Sequence, residues 1–284
     1  MEDFLFQVFE GIVIGSIYAL MALGLNLIWS ITDVPDFSQG GIYVITAYVS
    51  YFALTQAKLP FIVAWLAAIV VGAALSFVFE RFLYRRWRGR AFTVLLSSIA
   101  LFFLLANVAI VLWTPKAKIL PPLVRGGVDV FGVYLGYQRI VVFIAAVISV
   151  ALVHLFIQRA KVGKAIRAAS QDREAAMVAG INIDTVISVV FMLGGALSAT
   201  AAALVSPLYA VHPAMGDLPL LKSLVVVILG GFGTVGGVMA AALLLGVAEA
   251  LGAAYISSAY QHGFAFFILI LILLLRPKGL FGRV

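Results

Sequence analysis

The chain has 284 residues, 64% of them hydrophobic and 11% charged, with a net charge of +7 and a mean hydropathy of +1.16. Soluble domains hold about 45–50% apolar and about 25% charged residues, so a soluble fold is excluded and an integral membrane protein is indicated. Cysteine is absent, which excludes disulfides and thiolate metal sites.

The start, Met1-Glu2-Asp3-Phe4, is acidic and lacks a basic n-region, and the first apolar run exceeds a signal-peptide core. It reads as a retained span. Apolar runs follow at roughly 5–30, 41–56, 61–83, 92–113, 140–157, 183–205, 220–232, 236–256 and 263–275. They are continuous and do not alternate apolar with polar, so a β-barrel is unsuited. The expected fold is all-α: a polytopic transmembrane helix bundle of about 8–9 spans, forming one domain over 1–284. Runs of small residues such as Gly194-Gly195-Ala196-Leu197-Ser198-Ala199 allow close helix packing.

After the first run, Asp33, Pro35, Asp36 and Gly40-Gly41 interrupt roughly 50 apolar residues. Proline removes a donor and glycine loosens a helix, so freed backbone groups need partners. Two readings stay open. The segment is a cytoplasmic turn between spans, or a discontinuous helix lining a path, with Asp36, Ser38 and Gln39 facing a watery cavity. A zwitterionic amino acid suits the second, since helix termini and carboxylates meet its two charges. Asn26 and Asn107 read as interhelical links, and Glu80-Arg81 as a local interfacial pair. The 114–139 connection has four basic residues diluted over a Pro- and Gly-containing stretch.

The 158–182 interval is the most informative. Gly163 to Gly180 has good helix formers, with Ile166, Ala169, Met177 and Ile181 apolar among Arg167, Asp172, Arg173 and Glu174. One reading is a membrane-surface helix with basic residues on headgroups. Interleaved acids and the small pair Ala175-Ala176 favour a docking surface for a soluble partner, and Gly180 can end the helix as a left-handed cap.

Further on, Pro213-x2-Gly216 repeats the form of Phe37-x2-Gly40, and paired interruptions of this kind are a feature of transporter sites. Gly231-Phe232-Gly233-Thr234-Val235-Gly236 matches G-x-G-x-x-G but lacks the βαβ context and a later acid, so it reads as a tight turn. Lys161-Val162-Gly163-Lys164-Ala165 lacks the earlier glycine and the hydroxyl of a phosphate-binding loop, so energy comes from another chain or an ion gradient. Glu249 should face the bundle or be protonated, because an ionised carboxylate at a helix centre costs about 2.5–3.5 kcal/mol. His154, His212 and His262 are far apart in sequence and fall on different predicted membrane faces. No nucleophile–base set or metal cluster appears, so an enzyme is not expected.

Orientation follows from three basic clusters: Arg85, Arg86, Arg88 and Arg90; Arg159, Lys161, Lys164, Arg167 and Arg173; and Arg276, Lys278 and Arg283. Placing these in the cytoplasm gives nine spans with an outside N-terminus. A re-entrant 31–40 segment gives eight, with the N-terminus inside.

Several of these segments share one resemblance. Glu174-Ala175-Ala176-x3-Gly180 resembles the coupling segment of ABC-importer permeases. Gly11-x3-Gly15-Ser16-Ile17-Tyr18-Ala19-Leu20-Met21-Ala22-Leu23-Gly24-Leu25-Asn26-Leu27-Ile28 resembles the first span of the branched-chain amino-acid (Liv-type) permeases. Asp36-Phe37-Ser38-Gln39-Gly40, Gly163-Lys164-Ala165-Ile166-Arg167-Ala168, Gly230-Gly231-Phe232-Gly233-Thr234 and Arg276-Pro277-Lys278-Gly279-Leu280-Phe281-Gly282 extend it along the chain. One departure is Asp36-Phe37-Ser38-Gln39-Gly40, where the family usually has Asn-Phe-Ala-His-Gly.

The resemblance implies a multi-pass permease in the inner membrane of a prokaryote. It would pair with a second, related permease, two cytoplasmic ATPases and an extracytoplasmic binding protein, with ATP bound by the partners and no cofactor here. Lys164, Arg167, Asp172, Arg173, Glu174, Ala175, Ala176 and Gly180 would dock the ATPase. Path candidates are Asn26, Asp36, Phe37, Ser38, Gln39, Gly40 and Glu249. The expected cargo is a branched-chain or other hydrophobic amino acid. Alternatives are urea or short amides, a proton- or sodium-coupled carrier using Glu249 or Asp36, and a non-transporting scaffold.

Overall fold

The computed structural model describes residues 2–122, 124, 126–130, 133–276 and 279–280. Lys278 and Arg283, two of the three basic residues expected in the tail, lie outside these. Eleven α-helices are described: α1 Glu2–Thr32, α2 Ser38–Thr55, α3 Phe61–Phe82, α4 Ala91–Trp113, α5 Tyr137–Arg159, α6 Lys161–Gln171, α7 Arg173–Val178, α8 Ile183–Val205, α9 Asp217–Gly230, α10 Val235–Tyr255 and α11 Gln261–Leu275. Single 3-10 turns follow α3 and precede α11.

Among the described residues, six helices are long and apolar enough to cross a membrane: α1, α3, α4, α5, α8 and α10. That makes a multi-pass membrane protein; α2, α9 and α11, counted as spans from sequence, fall outside this set. The all-α expectation also needs one correction. Within the long connection after α4, β1 (Gly127–Val130) and β2 (Val133–Gly136) pair antiparallel, with Gly127 opposite Gly136 and Val130 opposite Val133.

Burial sorts the helices. The most apolar windows of α1 and α8 are 83% and 78% buried, whereas that of α4 is 17%. α1 and α8 are therefore the central pair, and α3, α4 and α5 turn apolar faces outward.

Glycines explain the close packing. α1 lies along α10, where a β-carbon on Gly246 would stand 2.3 Å from the Gly11 carbonyl oxygen. α8 lies along α3 in the same way, with the Gly195 position 2.3 Å from the Gly72 carbonyl oxygen. Only residues without side chains let backbones approach so far. α1 and α8 meet each other at Gly24 and Gly194.

The correspondence extends further. α2 packs on α3, α4 and α8, as α9 packs on α10, α11 and α1. The bundle is thus two four-helix units, α1–α4 and α8–α11, joined by α5, α6 and α7. Their directions are opposed: Arg173 bonds the Ile31 carbonyl at the end of α1, and Arg85 and Arg88, just after α3, meet Asp184 in the first turn of α8. α1 and α3 end where α8 begins, the inverted arrangement seen in many transporters.

Candidate functional site

Three places gather the residues that sequence singled out. The first is the α6–α7 segment. A single helix was expected from Gly163 to Gly180, but the chain breaks at Asp172, which is extended (φ −155°, ψ 111°). The Asp172 carboxylate accepts the Ala175 N–H at 2.9 Å and so caps α7, the role short acidic side chains fill best. Gly180 closes the segment at φ +84°.

The side chains divide by direction. Arg167 donates to the Ile157 carbonyl at the end of α5, and Arg173 to Ile31 at the end of α1. Cations are favourable at helix C-termini, so these two tie the segment to the bundle. Ala176 is also buried against the bundle; only Ala175 of the small pair faces outward. Lys164 and Glu174 are exposed, as are Met177 and Val178, the last 90% exposed.

The second place is the junction before α2. Asp36 Oδ1 accepts the Ser38 N–H at 3.0 Å and the Tyr84 hydroxyl at 2.9 Å, while Ser198 donates to Gln39 Oε1. Asp36, Ser38 and Gln39 are buried by helix packing, which corrects the expectation of a watery cavity. Gly40 meets Gly216: the two interruptions occupy equivalent places in the two units and touch. Phe37, between Asp36 and Ser38, is partly buried against the core.

The third place joins Glu249, a path candidate from sequence, to Lys222, which the sequence had not singled out. Lys222 of α9 donates to Glu249 Oε2 of α10 at 2.7 Å and to the Tyr18 hydroxyl of α1 at 2.7 Å. Tyr18 in turn donates to Glu249 at 3.0 Å. The Lys222 and Glu249 side chains are only 3% and 1% exposed. Glu249 does face the bundle, as its cost in hydrocarbon requires. A lone cation inside the 220–232 run was the available signal, since an ammonium there must find an acid.

Beside this pair lies a cavity of about 370 Å³. Lys222, Tyr18, Tyr43, Tyr209, His212, Gln261 and His262 supply its polar lining, and Ile14, Ile17, Val205, Met215 and Leu218 much of the rest. His212 and His262, far apart in sequence, share this wall. The segment carrying Tyr209 and His212 also pairs with the α4–α5 connection through an antiparallel bridge between Lys118 and Val211.

Three smaller expectations change. Asn26 accepts the Gly233 N–H at 3.0 Å, so the link it makes runs to the backbone of the α9–α10 turn and not to another helix's side chain. Asn107 bonds within its own helix, to Phe103. Glu80 pairs with Arg88 and accepts from Ser188 rather than pairing with Arg81, because it faces inward and Arg88 reaches it from beyond the 3-10 turn.

The family model described as "Branched-chain amino acid transport system / permease component" matches residues 7–273. The chain belongs to this permease family. Among relatives, the permease BraD of Pseudomonas aeruginosa, named for high-affinity branched-chain amino acid transport, is 34% identical over 99% of this chain and 96% of its own. LivH of Escherichia coli K12 carries the same description at 33% identity and the same coverage. A probable LivH of Methanocaldococcus jannaschii is 27% identical over 97% of this permease and 92% of its own length. A solved chain of PsaBC from Streptococcus pneumoniae, in complex with Fab, overlays with a TM-score of 0.52 at 12% identity. It covers 95% of the permease and 91% of that chain, a likeness of fold.

Proposed function

We propose that this chain is the membrane-spanning permease subunit of an ATP-driven importer for branched-chain or other hydrophobic amino acids, in the plasma membrane of a prokaryote. One observation carries it: near-complete alignment, at 34% identity, with a permease named for that transport. The aliphatic part of the cavity wall, Ile14, Ile17, Val205, Met215 and Leu218, agrees with an apolar side chain on the cargo.

In this reading the end with α6 and α7 faces the cytoplasm, where its excess of Lys and Arg belongs. The N-terminus is outside, and nine passes follow, with α2, α9 and α11 completing the six long helices. Two ATPase subunits bind α6–α7, using exposed Met177 and Val178 together with Lys164 and Glu174. A second, related permease completes the path, and a binding protein delivers cargo at the opposite end, where the hairpin and the 206–216 connection lie. ATP is bound by the partner chains. Closure of the ATPases moves α7, and Arg173 carries that movement to α1.

The test is uptake of labelled leucine into proteoliposomes holding the complete complex, with binding protein outside and ATP inside. Uptake that needs ATP and survives an uncoupler is expected. Uptake that ignores ATP but collapses with the uncoupler would overturn the proposal in favour of an ion-coupled carrier.

A further inference from the structure

We propose that Lys222 and Tyr43 form a transit site for the charged head of an α-amino acid, Lys222 taking the carboxylate and the Tyr43 hydroxyl the ammonium. The proposal rests on the amino-acid transport reading above and adds to it the groups that recognise the cargo.

Unused bonding capacity at the cavity wall carries the argument. An ammonium has three N–H donors. Glu249 and Tyr18 take two from Lys222, and one remains. Tyr43 is fully buried, and its hydroxyl has no hydrogen-bond partner although the residue lines the cavity. A buried hydroxyl left unpaired is costly, so native proteins seldom keep one without reason. Lys222 and Tyr43 thus line the same cavity, one with a spare donor and the other with an unpaired hydroxyl just behind its wall.

Charge balance favours the same ligand. Lys222 and Glu249 are a neutral pair, and a zwitterion is neutral, so its entry leaves no uncompensated charge in the bundle. Glu249 holds the ammonium in place while the cavity is empty, and the incoming carboxylate then shares it. Ile14, Ile17, Met215 and Leu218 offer aliphatic surface to a side chain. At about 370 Å³ the cavity lies at the small end of ligand pockets, which suits a single amino acid.

The experiment uses the assembled permease–ATPase complex in lipid nanodiscs, without binding protein, and saturation-transfer NMR. Three probes are compared: leucine, leucinamide (no carboxylate) and 4-methylpentanoate (no amine). Leucine should give at least a fivefold stronger signal than leucinamide. The double variant Lys222→Met/Glu249→Gln removes both charges together and so leaves neither stranded; its assembly is checked by ATPase co-purification. It should lose the preference for leucine. Tyr43→Phe should weaken leucine several-fold and leave 4-methylpentanoate unchanged. Equal signals from leucine and leucinamide, or a double variant that keeps the preference, would overturn the site. Wild-type ATP-driven uptake is measured in parallel: its presence without a carboxylate preference sinks the transit site alone, and its absence sinks the transport reading.

Discussion

A β-carbon on Gly216 would stand 2.3 Å from the carbonyl oxygen of Gly40. Gly40 lies in the first turn of α2, and Gly216 immediately precedes α9. The two helices begin at this contact and belong to opposed units, so each interruption supports the other.

Gly216→Ala forces backbone apart at that contact. We expect a loss of about 1–3 kcal/mol, the usual cost of overpacking, read as a lower melting temperature of the solubilised protein. Gly236→Ala is the control, because nothing lies within 4 Å of the added carbon. Its effect should stay within about 0.5 kcal/mol.

Asp172→Ala removes the cap of α7. A lost cap of this type costs about 0.5–2 kcal/mol. Hydrogen exchange of amides 173–178 should quicken while α8 is unchanged, and leucine uptake should fall. Unaltered exchange in α7 would show that the cap is dispensable.

Val178→Asp tests the proposed ATPase-facing surface. At 90% exposure the change should leave stability within about 0.5 kcal/mol. The ATPases should no longer co-purify at stoichiometric levels. Normal co-purification would move the docking surface off α7.

Orientation is open to direct labelling, since the chain has no cysteine. Ser170→Cys in α6 should react with an impermeant maleimide only after cells are opened. Gln56→Cys, exposed between α2 and α3, should react in intact cells. The reverse pattern would invert the bundle and remove the ATPase from α6–α7.

Local features were legible because their causes are local. Gly180 ends its segment in the left-handed region, as expected for a glycine after an Ala-rich turn, and long apolar runs became long helices. The break at Asp172 was readable too, as an acidic side chain three residues before Ala175, but helix formers on both sides masked it. Tertiary relationships were not legible. Lys222 and Glu249 are 27 residues apart and meet only because α9 and α10 are neighbours. Gly233 finds Asn26 across 207 residues. His212 and His262 converge only once the 206–216 connection and α11 are both in place. The similar forms of Phe37–Gly40 and Pro213–Gly216 hinted at a repeat, but the inversion became visible only in how the helices pair. The hairpin was missed because two four-residue strands carry too little alternation to stand out.

α1 is one uninterrupted helix from Glu2 to Thr32. Its last turn accepts Arg173 through Ile31, and about 20 Å along the same rod, at 1.5 Å per residue, Tyr18 reaches the buried ion pair. No hinge lies between these two points, so α1 acts as a stiff pushrod. Under the proposed function, a pull on Arg173 would therefore reach the Tyr18 phenol through a single continuous rod, with no soft connection to absorb it.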